Sequence, residues 1–486
     1  MKKHSAMKKL ATLLLAAALT VGAVQQRAAA ADMRVSGIWD FNFEWNNISF
    51  SKDATDDRFH ARQRLRTQVE LIASETLKGV VFFEIGSTNW GRADQGGSLG
   101  TDATNIKVRY SYVDWVVPNT ELKVRMGLQP YALPSFVAGS PILDDADGAG
   151  ITLNYQFNET VGLTAFWLRA EHDNAYDDGD PIQRGLGDNM DFFGLSLPLT
   201  GEGWALTPWG VYGNVGRNSL IDPDEGGTYS DVLAGMMPYG VPGAAGAFLN
   251  DTYNPAWWVG FGGELTLFDP FRIALDVSYG KVDWGSIDFG ARDLDLTREG
   301  WLAIASVDYK FDRVTPGLVF WYGSGDDDDP FNGSERMPTI KPSWTATTFG
   351  YDDGWGIADC DVMGLSPVGT WGVIGRLADI SFMEDLSHTL RVGYYTGTND
   401  EDAVKNGAGL QFGGAFTDGP VYLTKKDHAL EVNFDSEYKI YENLTFALEL
   451  GYIHLDLDEG VWNNVIDTDN LNKNVWKAGL NLRYAF

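Results

Sequence analysis

The chain has 486 residues, 67 of them acidic against 37 basic, for a formal charge of −30. An excess of that sign excludes nucleic acid as a partner, which needs a basic footprint, and a single cysteine, Cys360, excludes an internal disulfide framework. After the first 31 residues no stretch approaches the roughly 20 apolar residues of a membrane helix, so a membrane crossing would have to be made by strands closed into a barrel.

Lys2, Lys3, Lys8 and Lys9 precede an apolar run from Leu10 to Val24 and small residues at Ala28–Ala31. This reads as a secretory signal peptide over residues 1–31, cut before Ala31 or Asp32. It holds five basic residues and no acid, which leaves −35 on residues 32–486.

From Asp32 onward a period of two dominates. Val35, Trp39, Phe41, Phe43 and Trp45 share one face, and Ser36, Asp40, Asn42 and Glu44 share the other. Runs over 59–72 and 78–85 follow. Over 105–115, Ile106, Val108, Tyr110 and Tyr112 oppose Lys107, Arg109 and Ser111, and over 121–129 Leu122, Val124, Met126 and Leu128 oppose Lys123 and Arg125. The alternation persists through 151–157, 271–279, 430–435 and 444–452, and is least clear within 189–215 and 368–383. The last strand sets Trp476, Ala478, Leu480, Leu482, Tyr484 and Phe486 against Lys477, Gly479, Asn481 and Arg483.

Every second connection is tiny, as at Glu75-Thr76, Asp269-Pro270, Glu384-Asp385 and Glu442-Asn443. Those between are long and rich in Gly, Asp, Asn and Pro, as over 216–254, 324–367 and 398–427. Short periplasmic turns alternating with long extracellular loops are the pattern of a transmembrane antiparallel β-barrel of the bacterial outer membrane. The count predicts about 18 strands in residues 32–486, with 16 as the alternative, and either barrel is wide enough for an aqueous channel.

The candidate functional residues follow from that register. Arg62, Arg64 and Arg66 share a face with Gln68 and Glu70, opposite Leu65, Val69 and Leu71. An arginine on lipid at mid-depth costs about 2–4 kcal/mol, so the three point into the lumen. Lys107, Arg109, Lys123 and Arg125 face the same way, giving seven cations on one sector. The segment 130–147 is apolar and proline-containing first, then acidic at Asp144, Asp145 and Asp147. It is predicted to fold into the barrel as a constriction loop, its acids facing the basic wall across the water. Replacing Arg62, Arg64 and Arg66 together with Ala is expected to change ion selectivity. The acidic run Asp326–Asp329 reads as a solvated loop, with Ca²⁺ as the alternative. The six histidines form no metal-spaced pair, no motif of a hydrolase is present, and no cofactor, metal or catalysis is expected.

The opening Met33–Trp45, the Arg62/Arg64/Arg66 strand and the terminal Arg483-Tyr-Ala-Phe486 resemble the outer-membrane homotrimeric porins of sulfate-reducing (Desulfovibrio-type) bacteria. The resemblance implies a trimer in contact with outer-membrane lipid and lipopolysaccharide, passing small hydrophilic solutes and ions. It also implies that Tyr484 and Phe486 belong to the assembly signal. The expectation is therefore a passive diffusion porin. The alternative is a substrate-specific channel for a sugar or organic acid, and a structural or adhesive surface protein comes third.

Overall fold

The computed structural model describes residues 31–486 apart from 51–57, 102–105, 173–186, 188, 218, 220, 223–227, 230–234, 239–250, 289–291, 408–421, 464, 466–468 and 470. The predicted signal peptide lies outside the described residues but for Ala31.

Eighteen strands form one barrel. The first six are β1 (Asp32–Asn47), β2 (Arg58–Ser74), β3 (Leu77–Asn89), β4 (Ile106–Val116), β5 (Leu122–Tyr131) and β6 (Ala146–Gln156). Next come β7 (Gly162–His172), β8 (Asn189–Ser196, resuming over Leu199–Gly201 after Pro198), β9 (Trp204–Gly216), β10 (Tyr253–Leu265), β11 (Phe271–Val282) and β12 (Arg298–Tyr309). The rest are β13 (Thr315–Gly323), β14 (Thr370–Met383), β15 (Leu386–Gly397), β16 (His428–Tyr441), β17 (Leu444–Asp456) and β18 (Asn474–Ala485). Each pairs antiparallel with its chain neighbours. Among the described residues the loops carry two short helices, α1 (Glu401–Asn406) and α2 (Glu459–Trp462).

The terminal strands close the sheet, with Ile38 opposite Ala485 and Asn47 opposite Trp476. Gly37 and Phe486 exchange two backbone hydrogen bonds, of 2.8 and 3.0 Å, at the end of the seam. A Cβ on Gly37 would sit 2.4 Å from the Arg66 carbonyl oxygen and 2.7 Å from the Phe486 ring, so the seam needs glycine there. Closure leaves no edge strand, and eighteen, not sixteen, is the strand number.

The outward face carries the apolar alternation. Aromatic pairs mark the long-loop rim, with Trp45–Phe59 at 4.6 Å and Trp301–Tyr322 at 5.1 Å between ring centroids. Others mark the short-turn rim, with Phe271–Tyr309 at 4.6 Å and Tyr484–Phe486 at 5.8 Å. An apolar belt between two aromatic girdles is the surface a bilayer selects.

The inward face departs from a uniformly wet lumen. On β9–β14 it is apolar and buried, through Trp209, Val211, Trp258, Leu302, Ile304, Trp321 and Ile374. Two loops cover it. Loop A (residues 132–145) supplies Leu133, Val137, Ile142 and Leu143, and loop B (residues 324–369) supplies Trp344, Phe349, Tyr351 and Met363. The hydrophobic core therefore lies inside the barrel.

Candidate functional site: the lumen and its two inward loops

Loop A is held from below by one carboxylate. Asp276 on β11 accepts from the Phe136 and Val137 amides and from the Ser135 hydroxyl, at 2.9–3.0 Å. Arg272 donates to the Phe136 carbonyl at 2.7 Å. From above, the loop pairs with loop B. Asp144 N–H donates to Lys341 O at 2.8 Å, and Thr345 N–H donates to Ala138 O at 2.8 Å. Of the segment 130–147, residues 132–145 pack against the inner wall, while Pro130 and Tyr131 belong to β5 and Ala146 and Asp147 to β6.

Loop B crosses the barrel. Next to β13–β15 its Trp344 and Tyr351 pack with Trp321 and Tyr395, ring centroids 4.6–6.1 Å apart. Burial raises the Tyr351 phenol well above its ordinary pKa. The loop then meets the charged wall of β15–β18. The Gly350 amide donates to Glu431 and the Trp355 amide to Glu449, each at 2.8 Å, and Arg391 bridges Asp353 and Asp435. On the far side it reaches β1 and β2. Arg62 Nη1 lies 2.7 Å from Asp359 Oδ1, and Arg64 Nη2 donates to Gly356 O at 2.6 Å. Burial pushes the Asp359 carboxyl up, yet the charge and hydrogen bond of Arg62, with His60 and the Glu44 contact, together outweigh it, and the net position is below the ordinary carboxylate value.

All seven predicted cations project into the lumen, but the predicted pairing is only partly right. Arg62 and Arg64 are clasped by loop B, not loop A. Arg66 bonds Glu84 on the neighbouring strand at 2.7 Å. Arg109 alone meets the acids of the constriction segment, at 2.7 Å from Asp147 and 3.2 Å from Asp145. Asp144 instead caps its own loop, accepting from the Ser140 and Asp145 amides at 2.8 and 2.9 Å. Burial raises its pKa despite those bonds. Arg125 pairs with Asp114 at 2.7 Å and lies 4.2 Å over the Tyr112 ring. Lys107 lies opposite luminal Glu84 in the register, and Lys123 sits two residues from luminal Arg125; both side chains are exposed.

One face assignment is overturned. The β3–β4 ladder pairs Phe82 with Tyr110 but Phe83 with Val108, so Arg109 is the extra residue of a β-bulge. Period two is broken there. Tyr110 and Tyr112 turn into the lumen while Val113 and Trp115 face outward. Tyr110 stacks on Phe82 at 5.0 Å, and Arg109 lies 5.5 Å over the Tyr110 ring. This half-buried part of the wall thus interleaves cations and aromatics: Arg66, Arg109, Tyr110, Tyr112 and Arg125.

The residues missed at sequence level are those of loop B. Trp344, Phe349, Tyr351 and Met363 were a signal of the same kind as the one read in loop A, apolar residues in a connection that ought to be solvated. The Asp326–Asp329 run is not a freely solvated one either. Asp326 is 2% exposed, 3.1 Å from Arg336, and accepts from the Ser334 and Tyr422 hydroxyls at 2.6 and 2.8 Å.

No protein-family model matches this chain, and no curated protein matches it by sequence. Solved structures do match. Acinetobacter baumannii OccAB3 superposes with a TM-score of 0.52 at 13% identity, over 94% of this chain and 99% of that one. Pseudomonas aeruginosa OccK2 (OpdF), solved in complex with glucuronate, gives 0.51 at 12% over 94% and 98%. Pseudomonas aeruginosa OpdK, solved with vanillate, gives 0.50 at 11% over 93% and 98%. The fold is that of a bacterial outer-membrane β-barrel. The outward belt and girdles place it in that membrane.

Proposed function

We propose that this chain is a substrate-specific outer-membrane channel, non-enzymatic, for small solutes bearing a carboxylate. The reading carries over the alternative stated from sequence and sets aside a wide passive porin. The observation behind it is loop B, which spans the lumen and locks onto Arg62 and Arg64. The solute path is then read along β2–β5, where Arg66, Arg109 and Arg125 stand beside Tyr110 and Tyr112, each arginine paired with a carboxylate of the wall that a solute's own would have to displace. A guanidinium gives a carboxylate bidentate recognition, and an aromatic face beside it suits a ring or an apolar sugar face. Vanillate and glucuronate, the ligands held by two structural neighbours, both carry one carboxylate. As in the trimeric porins that the sequence resembles, we read the assembly as a homotrimer in lipopolysaccharide-containing membrane, with Tyr484 and Phe486 at the rim as its insertion signal. Cross-linking of the purified protein checks the trimer.

The deciding experiment is single-channel recording in a planar bilayer with glucuronate, vanillate or glucose added to one side. A small conductance, blocked saturably by the two acids and not by glucose, is expected. Arg66→Ala and Arg109→Ala should each weaken the block by about tenfold, as loss of a charge-assisted bond does. Large steps indifferent to all three solutes would return the passive porin.

A further inference from the structure

We propose that Glu44, His60 and Asp359 form a site for one divalent first-row transition cation, Zn²⁺ by ligand type, which latches loop B onto the barrel wall. The proposal does not depend on the solute reading above. Its ligands come from three separate elements, β1, β2 and loop B, and converge near the long-loop mouth. His60 Nε2 lies 3.9 Å from Glu44 Oε1 and 3.6 Å from Asp359 Oδ2. One ligand atom from each of the three lies within 4.8 Å of the others. Those separations are too long for hydrogen bonds. A tetrahedral cation with bonds of about 2.0–2.2 Å spaces its ligands about 3.3–3.6 Å apart, so only a small contraction is needed.

The remaining bonds leave these atoms available. Glu44 Oε2 already accepts from Asp359 N–H at 3.1 Å and from Asn42 at 3.3 Å, and lies 3.8 Å from Arg62. Asp359 Oδ1 is held by Arg62. The two other oxygens, Oε1 and Oδ2, look toward His60 and share a single donor, Asn46 Nδ2, at 2.7 and 2.6 Å. Two carboxylate oxygens drawn together on one neutral amide nitrogen, each on one of its two N–H bonds, form a place suited to a stronger positive charge.

Two buried polar atoms beside it support the assignment. His60 Nε2 and Asn46 Oδ1 have no hydrogen-bond partner, and Asn46 is 1% exposed. Buried polar groups are rarely left so. A cation satisfies both: Nε2 ligates directly, and a half-turn of the Asn46 amide presents Oδ1 as a fourth ligand. One imidazole and oxygen donors suit a first-row dication better than Mg²⁺ or Ca²⁺, which prefer all-oxygen shells. Charge permits it too. Arg62 offsets one of the two carboxylates, and Lys477, which donates to Asp359 O at 2.7 Å, is paired with Glu449. The functional consequence is a loop B whose release depends on the cation.

The test uses the full folded protein in detergent, stripped with a chelator and titrated with ZnCl₂ by calorimetry. One Zn²⁺ per chain is expected, with excess Mg²⁺ failing to displace it. His60→Ala and Asp359→Asn should each lower the affinity at least tenfold, roughly the loss that even changes around a metal's ligands cause. X-ray absorption of the bound Zn²⁺ should show an oxygen-dominated shell with one imidazole. Should His60→Ala fail to fold, Asp359→Asn decides on the same measurement. Wild-type protein that takes up no stoichiometric Zn²⁺, or binding unchanged in the folded variant, would overturn the site.

Discussion

Replacing residues 342–364 with a short Gly-Ser linker is expected to raise single-channel conductance severalfold and abolish block by carboxylate solutes. The segment is the part of loop B that crosses the lumen, from Trp344 against Trp321 to Asp359 against Arg62. Its two ends lie together, since Trp344 N–H donates to Leu365 O at 2.9 Å, so a few residues can span the gap. The ladders of β13 and β14 do not involve it, and the barrel should still close. Trp321 and Tyr395 would meet water, which lowers stability without opening the sheet. An unchanged conductance in a variant that retains heat-modifiable gel migration would mean that the passage does not run where loop B sits. Arg62 and Arg64 would also lose their loop B partners, leaving Arg62 with Asn42 and Glu44 and Arg64 with Asp40. The truncated channel should therefore become more anion-selective, with the reversal potential in a salt gradient as its measure.

The barrel was legible because lipid enforces it. Every lipid-facing residue must be apolar and every backbone group paired, so strand, face and parity of connections are written in the chain at period two. The lumen is under no such rule. A luminal residue can face water, a neighbouring strand or an inward loop, and alternation looks the same in each case. Asp40, Glu44 and Arg62 show this: they read as polar wall residues, and the structure adds that they grip the loop or the seam strand. Asp40 accepts from Arg483 at 2.6 Å across the closure. The bulge at Arg109 marks a second limit. One inserted residue reverses the faces beyond it, and Tyr110 and Tyr112 carry too little hydrophobic contrast to reveal the switch. Loop B illustrates a third. Its contacts join residues about 300 apart, such as Asp359 with Arg62, and only composition hinted at them. The same separation hides the three cation ligands from any reading of histidine spacing.

Lys477→Met is expected to cost about 3–5 kcal/mol of stability, the usual penalty for stripping one partner from a buried ion pair. The ammonium is fully buried on β18, 3.4 Å from Glu449, and donates to the Asp359 carbonyl at 2.7 Å. Glu44 lies close on β1, buried as well. Methionine matches the aliphatic stem and removes the charge, so the loss is electrostatic rather than a cavity. Glu449 would then keep only neutral donors, Asn481 at 3.2 Å and the Trp355 amide at 2.8 Å. The far end of loop B would lose one of its anchors in the same step, keeping those to Arg62 and Arg64. The measurement is the urea midpoint for unfolding in detergent, with wild type, Lys477→Met, Glu449→Gln and the double variant Lys477→Met/Glu449→Gln compared. The double variant should recover part of the loss, because removing both members of a buried pair leaves no orphaned charge. A single variant as stable as wild type would show that water screens the pair. A double variant destabilised by the sum of two separate losses would show that the two side chains do not act together.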